Sequence, residues 1–310
     1  MILCCGEALI DMIPAQTSSG QSAFVPHSGG SVFNTAIALG RLGAQTSMLT
    51  GLSQDLFGRQ LEAALRASNV DTSLVVTSDR PTTLAFVELT GGHATYTFYD
   101  ENSAGRMLRI QDMPDLPADV GGLYFGGISL CNPPAADSFL RLAERAAGCC
   151  AIMLDPNIRP GFIGDVPAFR ARLQRMIAVA DIVKVSDEDL DWMYPGPEGV
   201  RGKLAAVLQA GPSVAIVTRG GEGASAYLRD GRNVSVDAPK TEIADTVGAG
   251  DTFNAGFLAR AAELGLLEKS ALPAISTENL RRCLEFGTKV AAVTVSRAGA
   301  NPPWRHELPA

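Results

Sequence analysis

Short apolar runs alternate with amphipathic stretches along most of this 310-residue chain, and that rhythm commits it to strands joined by crossover helices. Residues 2–5, 123–125, 151–154, 181–185 and 214–217 read as strands, and 55–67, 135–147, 166–178, 250–264 and 277–295 as helices. Gly29 and Gly30 open a further helix, with Val32, Phe33, Ala36, Ile37 and Gly40 at helical spacing. The first strand is expected to run on to Asp11, and the Ser-, Gly- and Pro-rich stretch 14–26 to form a loop. These elements predict an α/β fold with a mainly parallel sheet covered by helices. In such open sheets ligands bind beyond the carboxyl ends of the strands. Asp11, Gly126, Asp155, Asn157, Arg159, Ser186, Asp189, Thr218 and Gly220 therefore fall on one rim.

One stretch breaks the rhythm. Leu84, Phe86 and Leu89 precede Gly91-Gly92, and Tyr96, Phe98 and Tyr99 follow it, as in two strands joined by a glycine turn. This hairpin, within 82–99, is assigned to a separate small sheet. It serves either as a lid over a cleft or as an edge extension of the main sheet.

The run Asp245-Thr-Val-Gly248-Ala249-Gly250-Asp251 sets small residues and two acids at the start of an apolar helical segment. Bare backbone at Gly248, Ala249 and Gly250 lets N–H groups close on a phosphate at the positive end of the helix. A carboxylate in such a cradle repels the phosphate unless a hydroxyl or a metal stands between them. Phosphoryl transfer to an alcohol supplies that arrangement, with Asp251 taking the hydroxyl proton. The plainer roles are a helix N-cap for Asp251 and close helix packing for the small residues.

A net charge of −7, with no basic cluster to offset it, argues against general affinity for nucleic acid. No run approaches the ~18 apolar residues of a spanning helix, and the apolar opening is followed at once by Glu7 and Asp11, which predicts no leader. The six cysteines form no CxxC pair and the three histidines no zinc-type spacing, so reduced thiols in a cytoplasmic protein are expected.

Two glycine-rich elements, Gly29-Gly30-Ser-Val-Phe-Asn34 and Gly248-Ala249-Gly250-Asp251, resemble the two signature regions of the ribokinase-like, or PfkB, family of carbohydrate kinases. The second region matches through Asp245, Gly248, Ala249, Gly250, Asp251, Ala255 and Gly256, the first through Gly29, Gly30, Asn34, Ala36 and Gly40. Gly6-Glu-Ala-Leu-Ile-Asp11, Thr97-Phe-Tyr99 and Asp155-Pro-Asn-Ile-Arg-Pro160 are most similar to the fructokinase branch. The 2-keto-3-deoxygluconate kinases share part of that pattern.

The resemblance implies a three-layer α/β/α core from residues 1–10, 29–80 and 108–310, with a small β-sheet lid from 11–28 and 81–107. It implies transfer of the γ-phosphate of ATP to a sugar hydroxyl, with fructose first among the candidates. Asp251 corresponds to the catalytic base, and Gly248, Ala249 and Gly250 to the anion hole. Asp11, Gly29, Gly30, Asn34, Tyr99 or Phe98, and Arg159 correspond to the sugar site, to which Arg106 is a further candidate. Lys184, Ser186, Thr218, Gly220, Gly223, Gly250 and Lys289 correspond to the nucleotide site. Magnesium is implied at Asp189 and Glu188. Ser186 and Asp189 replace the family's Asn and Glu, and the shorter acid points to a contact through water. A monovalent cation, potassium, is implied near Asp245, and a homodimer through the lid. Taken alone, Asp11 suits a turn, Asn34 a solvated helix position, Phe98 or Tyr99 the core, and 186–189 a capped acidic turn. Arg159 alone suits a surface ion pair worth less than ~1 kcal/mol.

Two rival classes remain. Gly221-Glu-Gly223-Ala-Ser-Ala226 matches a dinucleotide fingerprint, as in a nucleotide-dependent oxidoreductase, but strand-like residues follow it where a helix should. A sugar-binding regulator that has lost catalysis would not need Asp251 inside an intact cradle.

Overall fold

The computed structural model describes residues 1–90 and 93–309; the expected Gly91-Gly92 turn lies outside them. In chain order the strands are β1 (Ile2–Cys5), β2 (Leu9–Gln16), β3 (Ser22–Gly29), β4 (Thr46–Leu49), β5 (Gly51–Ser53), β6 (Val70–Asp71), β7 (Val76–Ser78), β8 (Leu84–Thr90), β9 (His93–Tyr99), β10 (Gly122–Gly126), β11 (Ala151–Asp155), β12 (Ile182–Ser186), β13 (Val214–Thr218), β14 (Ala224–Leu228) and β15 (Asn233–Val236). The helices are α1 (Ser31–Arg41), α2 (Leu56–Ala67), α3 (Ala135–Ala146), α4 (Val166–Val179), α5 (Asp187–Met193), α6 (Val200–Ala210), α7 (Ala249–Glu263) and α8 (Thr277–Val295).

The large sheet runs β15-β14-β13-β12-β11-β10-β1-β4-β6. Its strands pair in parallel from β6 to β13, and β14 and β15 add an antiparallel edge. Alternation along β1 sets the layers, because successive side chains point to opposite faces. Ile2 and Cys4 enter a core shared with α1, α2, α7 and α8, while Leu3 and Cys5 enter a second core shared with α3 to α6. Helices cover both faces, which is why the strands read as continuous apolar runs. The result is the expected three-layer α/β/α core.

The small sheet is separate, with strand order β3-β2-β8-β9. It corrects two expectations. The first strand stops at Cys5, and Asp11 belongs to β2 of the small sheet. The stretch 14–26 is no loop, because β2 and β3 form a hairpin in register from Leu9↔Gly29 to Gln16↔Ser22. Pro14 and Pro26 read as breakers, yet Pro14 lies beyond the Ile10–Met12 segment that pairs with β8, and Pro26 is on the edge strand β3. Neither removes a needed ladder donor.

Two devices set the position of the site. Asp55 caps α2 through Gly58 N–H at 2.7 Å and also accepts from the Thr82 hydroxyl at 2.7 Å, so one carboxylate fastens the approach to β8 onto the core. Gly256 on α7 faces Gly287 on α8, where an added Cβ would lie 2.8 Å from the Gly287 Cα. That close crossing fixes the axis of α7, and with it the direction of its first turn. Among the described residues, no helix is long and apolar enough to cross a membrane.

Candidate active site

The first turn of α7 lies between two cavities. One, of about 320 Å³, is lined by Glu7, Asp11, Asn34, Phe98, Asp155 and Asp251 among others. The other, of about 850 Å³, is lined by Ser186, Asp189, Thr218, Gly223, Phe253 and Ala292 among others. They share Asn157, Arg159, Lys184, Thr246, Ala249 and Gly250. A group held at Gly250 therefore faces both.

Gly248 is the N-cap of α7 and takes the left-handed conformation, with φ 78°. Among the described residues, the Gly250 and Asp251 N–H groups find no acceptor, as expected of a helix start that has no side-chain cap. Partial positive charge therefore collects where the cavities join. Asp251 is 8 % exposed and follows directly, its Oδ2 accepting from Asn34 Nδ2 at 2.9 Å. Burial pushes its carboxyl up to about 7; the Asn34 hydrogen bond opposes the rise and Asp155 adds to it. A carboxyl poised there gains a proton readily once a hydroxyl is presented to it.

Asp11 also lines the smaller cavity, and burial pushes its carboxyl up to about 6. Gly29 makes room for it, since a Cβ at Gly29 would collide with the Asp11 carboxylate. Gly30, with φ 104°, turns the chain into α1 and lines the cavity itself. Asn34 is buried on the inner face of α1 and is not a solvated helix position. Arg159 is exposed at the junction and donates to the Asn157 and Ile158 carbonyls.

The aromatic assignment needs correction. Tyr96 and Phe98 line the cavity, whereas Tyr99 points to the opposite face of β9, is 59 % exposed and packs edge-on against Phe86 at 5.5 Å. Strand parity decides this: residues 96 and 98 share a face and 99 does not. Arg106 is not on the cavity wall either; it sits 3.7 Å from Asp100 and donates to the Pro133 carbonyl.

On the other side, Ser186, Thr218, Gly220, Gly223, Lys184 and Gly250 all line the larger cavity. Gly223, with φ 96°, has no room for a Cβ against the Val236 carbonyl. Lys289 does not line this cavity, although Thr288, Ala291 and Ala292 on the same helix do. Asp189 caps α5 reciprocally with Ser186 and accepts the Ile158 N–H at 2.9 Å, so both its oxygens are engaged by the backbone. Burial raises its pKa. Glu188 is exposed and lines the cavity with its carboxylate uncommitted. Asp245 accepts from Val247 N–H at 3.0 Å and Gly299 N–H at 2.9 Å, which pins the loop entering α7 to the loop after α8. Among the described residues, no cluster of three His, Cys, Asp or Glu forms a ready metal cage.

Two groups, Glu7 and Asn254, escaped the sequence reading, and Asp155 was placed on the rim without its partners. Glu7 is buried, with Oε1 accepting from Ser31 N–H at 2.9 Å and Oε2 from Ser129 N–H at 3.2 Å, and burial raises its pKa. Asp155 and Asn254 belong to a buried network with Lys184 and Tyr124. Acidic residues at strand ends were the available signal, and they do not reveal their partners.

Residues 1–307 match the profile of pfkB family carbohydrate kinases. A fructokinase of Rhizobium leguminosarum bv. trifolii is 50% identical over 91% of this chain and 86% of its own length. Fructokinase-1 of Oryza sativa subsp. japonica is 32% identical over 97% of this chain and 94% of its own. The crystal structure of fructokinase with bound ATP from Xylella fastidiosa superposes with a TM-score of 0.88 at 28% identity, covering 96% of this chain and 93% of that one. The glycine-led α7 start, the buried acid behind it and a match that spans nearly every residue agree: this chain belongs to the pfkB family of carbohydrate kinases.

Proposed function

We propose that this protein transfers the γ-phosphate of ATP to a hydroxyl of fructose. The observation that carries the reading is the junction of the two cavities at Gly250, with Asp251 on the smaller side and Ser186, Thr218 and Gly223 on the larger. ATP occupies the larger cavity and fructose the smaller. The sugar oxygen bonds to the γ-phosphorus as the bond to the bridging oxygen of ADP breaks, and the hydroxyl proton passes to Asp251. The Gly250 and Asp251 N–H groups receive the charge on the transferring group. Asp11 and Asn34 orient the sugar, and Phe98 and Tyr96 cover it.

The chemistry of the cavity favours a neutral polyol over a sugar acid. Glu7, Asp11, Asp155 and Asp251 line it, against two cations, of which Lys184 pairs with Asp155 and Arg159 stands exposed at the rim. A substrate carboxylate would meet four acidic neighbours. Magnesium would enter with the ATP phosphates, held by Glu188, whose carboxylate lines the larger cavity, and by Asp189 through water. Potassium would sit in the Asp245 loop, where each oxygen of that carboxylate accepts one N–H and keeps a lone pair free.

The sheet of residues 11–28 and 81–107 acts as a lid that excludes water when the sugar binds. Its outward face carries Phe24, Phe86 and Tyr99 in edge-to-face contact, which supports pairing of two copies through the lid. Free cysteines suit a cytoplasmic setting. The deciding experiment is a panel of sugars and sugar acids with ATP and magnesium, with and without potassium. Fructose should give the highest kcat/KM. A preference for 2-keto-3-deoxygluconate would overturn the fructose assignment.

A further inference from the structure

A separate cavity, of about 280 Å³, shares no lining residue with the two that meet at α7. It lies where the chain passes between the core and the β8-β9 half of the small sheet. One wall comes from β7 and Arg80, before β8, and the other from residues 104–112, after β9. These two crossings already lie side by side. Ala104 N–H donates to the Pro81 carbonyl at 2.9 Å, and Thr82 N–H to Asp55 at 2.9 Å. Gly51 leaves room for the Ala104 carbonyl, with which a Cβ at that position would collide. The inner lining is apolar, from Val76, Ala104 and Leu108, while Arg80 and Arg109 stand exposed at the mouth.

We infer that this cavity is an anion site apart from the α7 start, which takes a small phosphate monoester between Arg80 and Arg109 and so ties the two crossings together. Both guanidinium groups are uncommitted. Among the described residues, Arg80 and Arg109 donate only through their backbone N–H groups, to the Ser78 hydroxyl at 3.2 Å and to Asp112 Oδ2 at 2.8 Å. Arg106 and Arg145, by contrast, pair with Asp100 and Asp115. Asp112 is the one acid among the described lining residues, and that bond to Arg109 N–H occupies it. An exposed arginine is ordinary surface by itself; two without an acid, at the mouth of one apolar-floored cavity, in a chain of net charge −7, form a local positive field. Guanidinium forks match phosphate and carboxylate alike. A phosphate monoester has three terminal oxygens and close to two charges, enough to accept from both forks at once, whereas a carboxylate has two oxygens and one charge. The apolar lining then receives the carbon part of the ligand, as small-molecule sites commonly do. Strand β8 pairs with β2 and β9, which carry Asp11, Tyr96 and Phe98 on the wall of the smaller α7 cavity. A ligand at the crossings therefore acts on that wall without entering it.

The test titrates glycerol 3-phosphate into the full chain by calorimetry, in wild type, Arg80→Gln, Arg109→Gln, the double variant Arg80→Gln/Arg109→Gln, and Arg80→Lys. Phosphate bound at the α7 start is common to all five, so the double variant supplies the baseline. Wild type should show a further saturable component, which each Gln variant weakens at least about tenfold, as loss of charged hydrogen bonds does, and which the double variant lacks. Arg80→Lys keeps the charge without the fork and should weaken it less than Arg80→Gln. All the variants should melt near the wild-type temperature, because neither side chain has a partner to lose. Glycerate, with a carboxylate in place of the phosphate, should bind at least about tenfold more weakly in wild type. Amide hydrogen exchange reads the tie itself: glycerol 3-phosphate should slow exchange at least about threefold in peptides spanning 76–82 and 104–112, in wild type and not in the double variant. A wild-type isotherm identical to that of the double variant would overturn the site. Glycerate binding as tightly would overturn the phosphate assignment, and protection confined to one of the two segments would overturn the tie between the crossings. None of these readouts needs turnover, so they stand apart from the choice of sugar and from phosphoryl transfer.

Discussion

Replacing Asp251 by Asn should weaken catalysis and strengthen the fold, with the gain in stability growing as pH rises. The carboxyl is pushed up from 3.8 to about 7, chiefly by burial. Its folded pKa lies above its unfolded one, so between those values the folded state binds the proton more tightly. Stability from this group is full below about pH 4, falls as pH rises and levels off above about pH 7. The interval of about 3 units, at 1.36 kcal/mol each, sets a ceiling of roughly 4 kcal/mol. About half of that, roughly 2 kcal/mol, accrues between pH 5.5 and 8.5. Asn carries no charge to bury, and its carbonyl can still accept from Asn34 Nδ2. At roughly 2 °C per kcal/mol for a chain of this size, the variant's Tm advantage over wild type should be about 4 °C greater at pH 8.5 than at pH 5.5. Thermal unfolding of both proteins at the two pH values measures this, and a coupled assay of ADP release should show kcat reduced at least ~10²-fold. An equal Tm difference at both pH values would refute the argument that Asp251 is a strained, buried acid. Near-normal turnover would refute its role as base.

Asp11→Asn should raise the KM for fructose at least tenfold and leave that for ATP within about twofold, as loss of one charged hydrogen-bond acceptor at the sugar predicts. Equal effects in steady-state kinetics would mark Asp11 as structural. Phe98→Ala should weaken sugar binding by calorimetry, while Tyr99→Ala, on the outer face of the lid, should not; the reverse result would contradict the parity of β9. Gly248→Ala places a Cβ 2.8 Å from that of Ala300 in a left-handed residue, so it should cost roughly 1–3 kcal/mol in urea unfolding and lower kcat with it. An Ala variant as stable and active as wild type would show that the cap tolerates a side chain.

Much of the core was legible because its strands are buried on both faces. Runs such as Ala151–Asp155 and Val214–Thr218 admit few other readings, and the small residues before Asp251 mark a helix start with a cradle. The lid was harder. Strand β2 and strand β3 carry prolines and polar residues, because the small sheet is half exposed and pairs β2 with β8 over three residues only. The choice between Phe98 and Tyr99 turned on which face of one strand looks inward, which neighbouring aromatics do not disclose. Glu7 and Asn254 were missed, and Asp155 was read only as a rim residue, for a different reason: each is held by partners brought from distant segments. Lys184 was placed at the nucleotide by the family resemblance, but its bond to Asp155 spans 29 residues and appears only in three dimensions.

The hydrogen bond from Asn34 to Asp251 joins residues 217 positions apart. During synthesis, the half of the site proposed to face the sugar is translated early, in β2 and α1, and the acid proposed to act on the sugar arrives with α7. Contacts of such long range form late, because the loop they close must be ordered first. A chain interrupted between β9 and α7 therefore carries the groups proposed to hold a sugar and lacks both the proposed base and the N–H cradle. Incomplete copies cannot spend ATP.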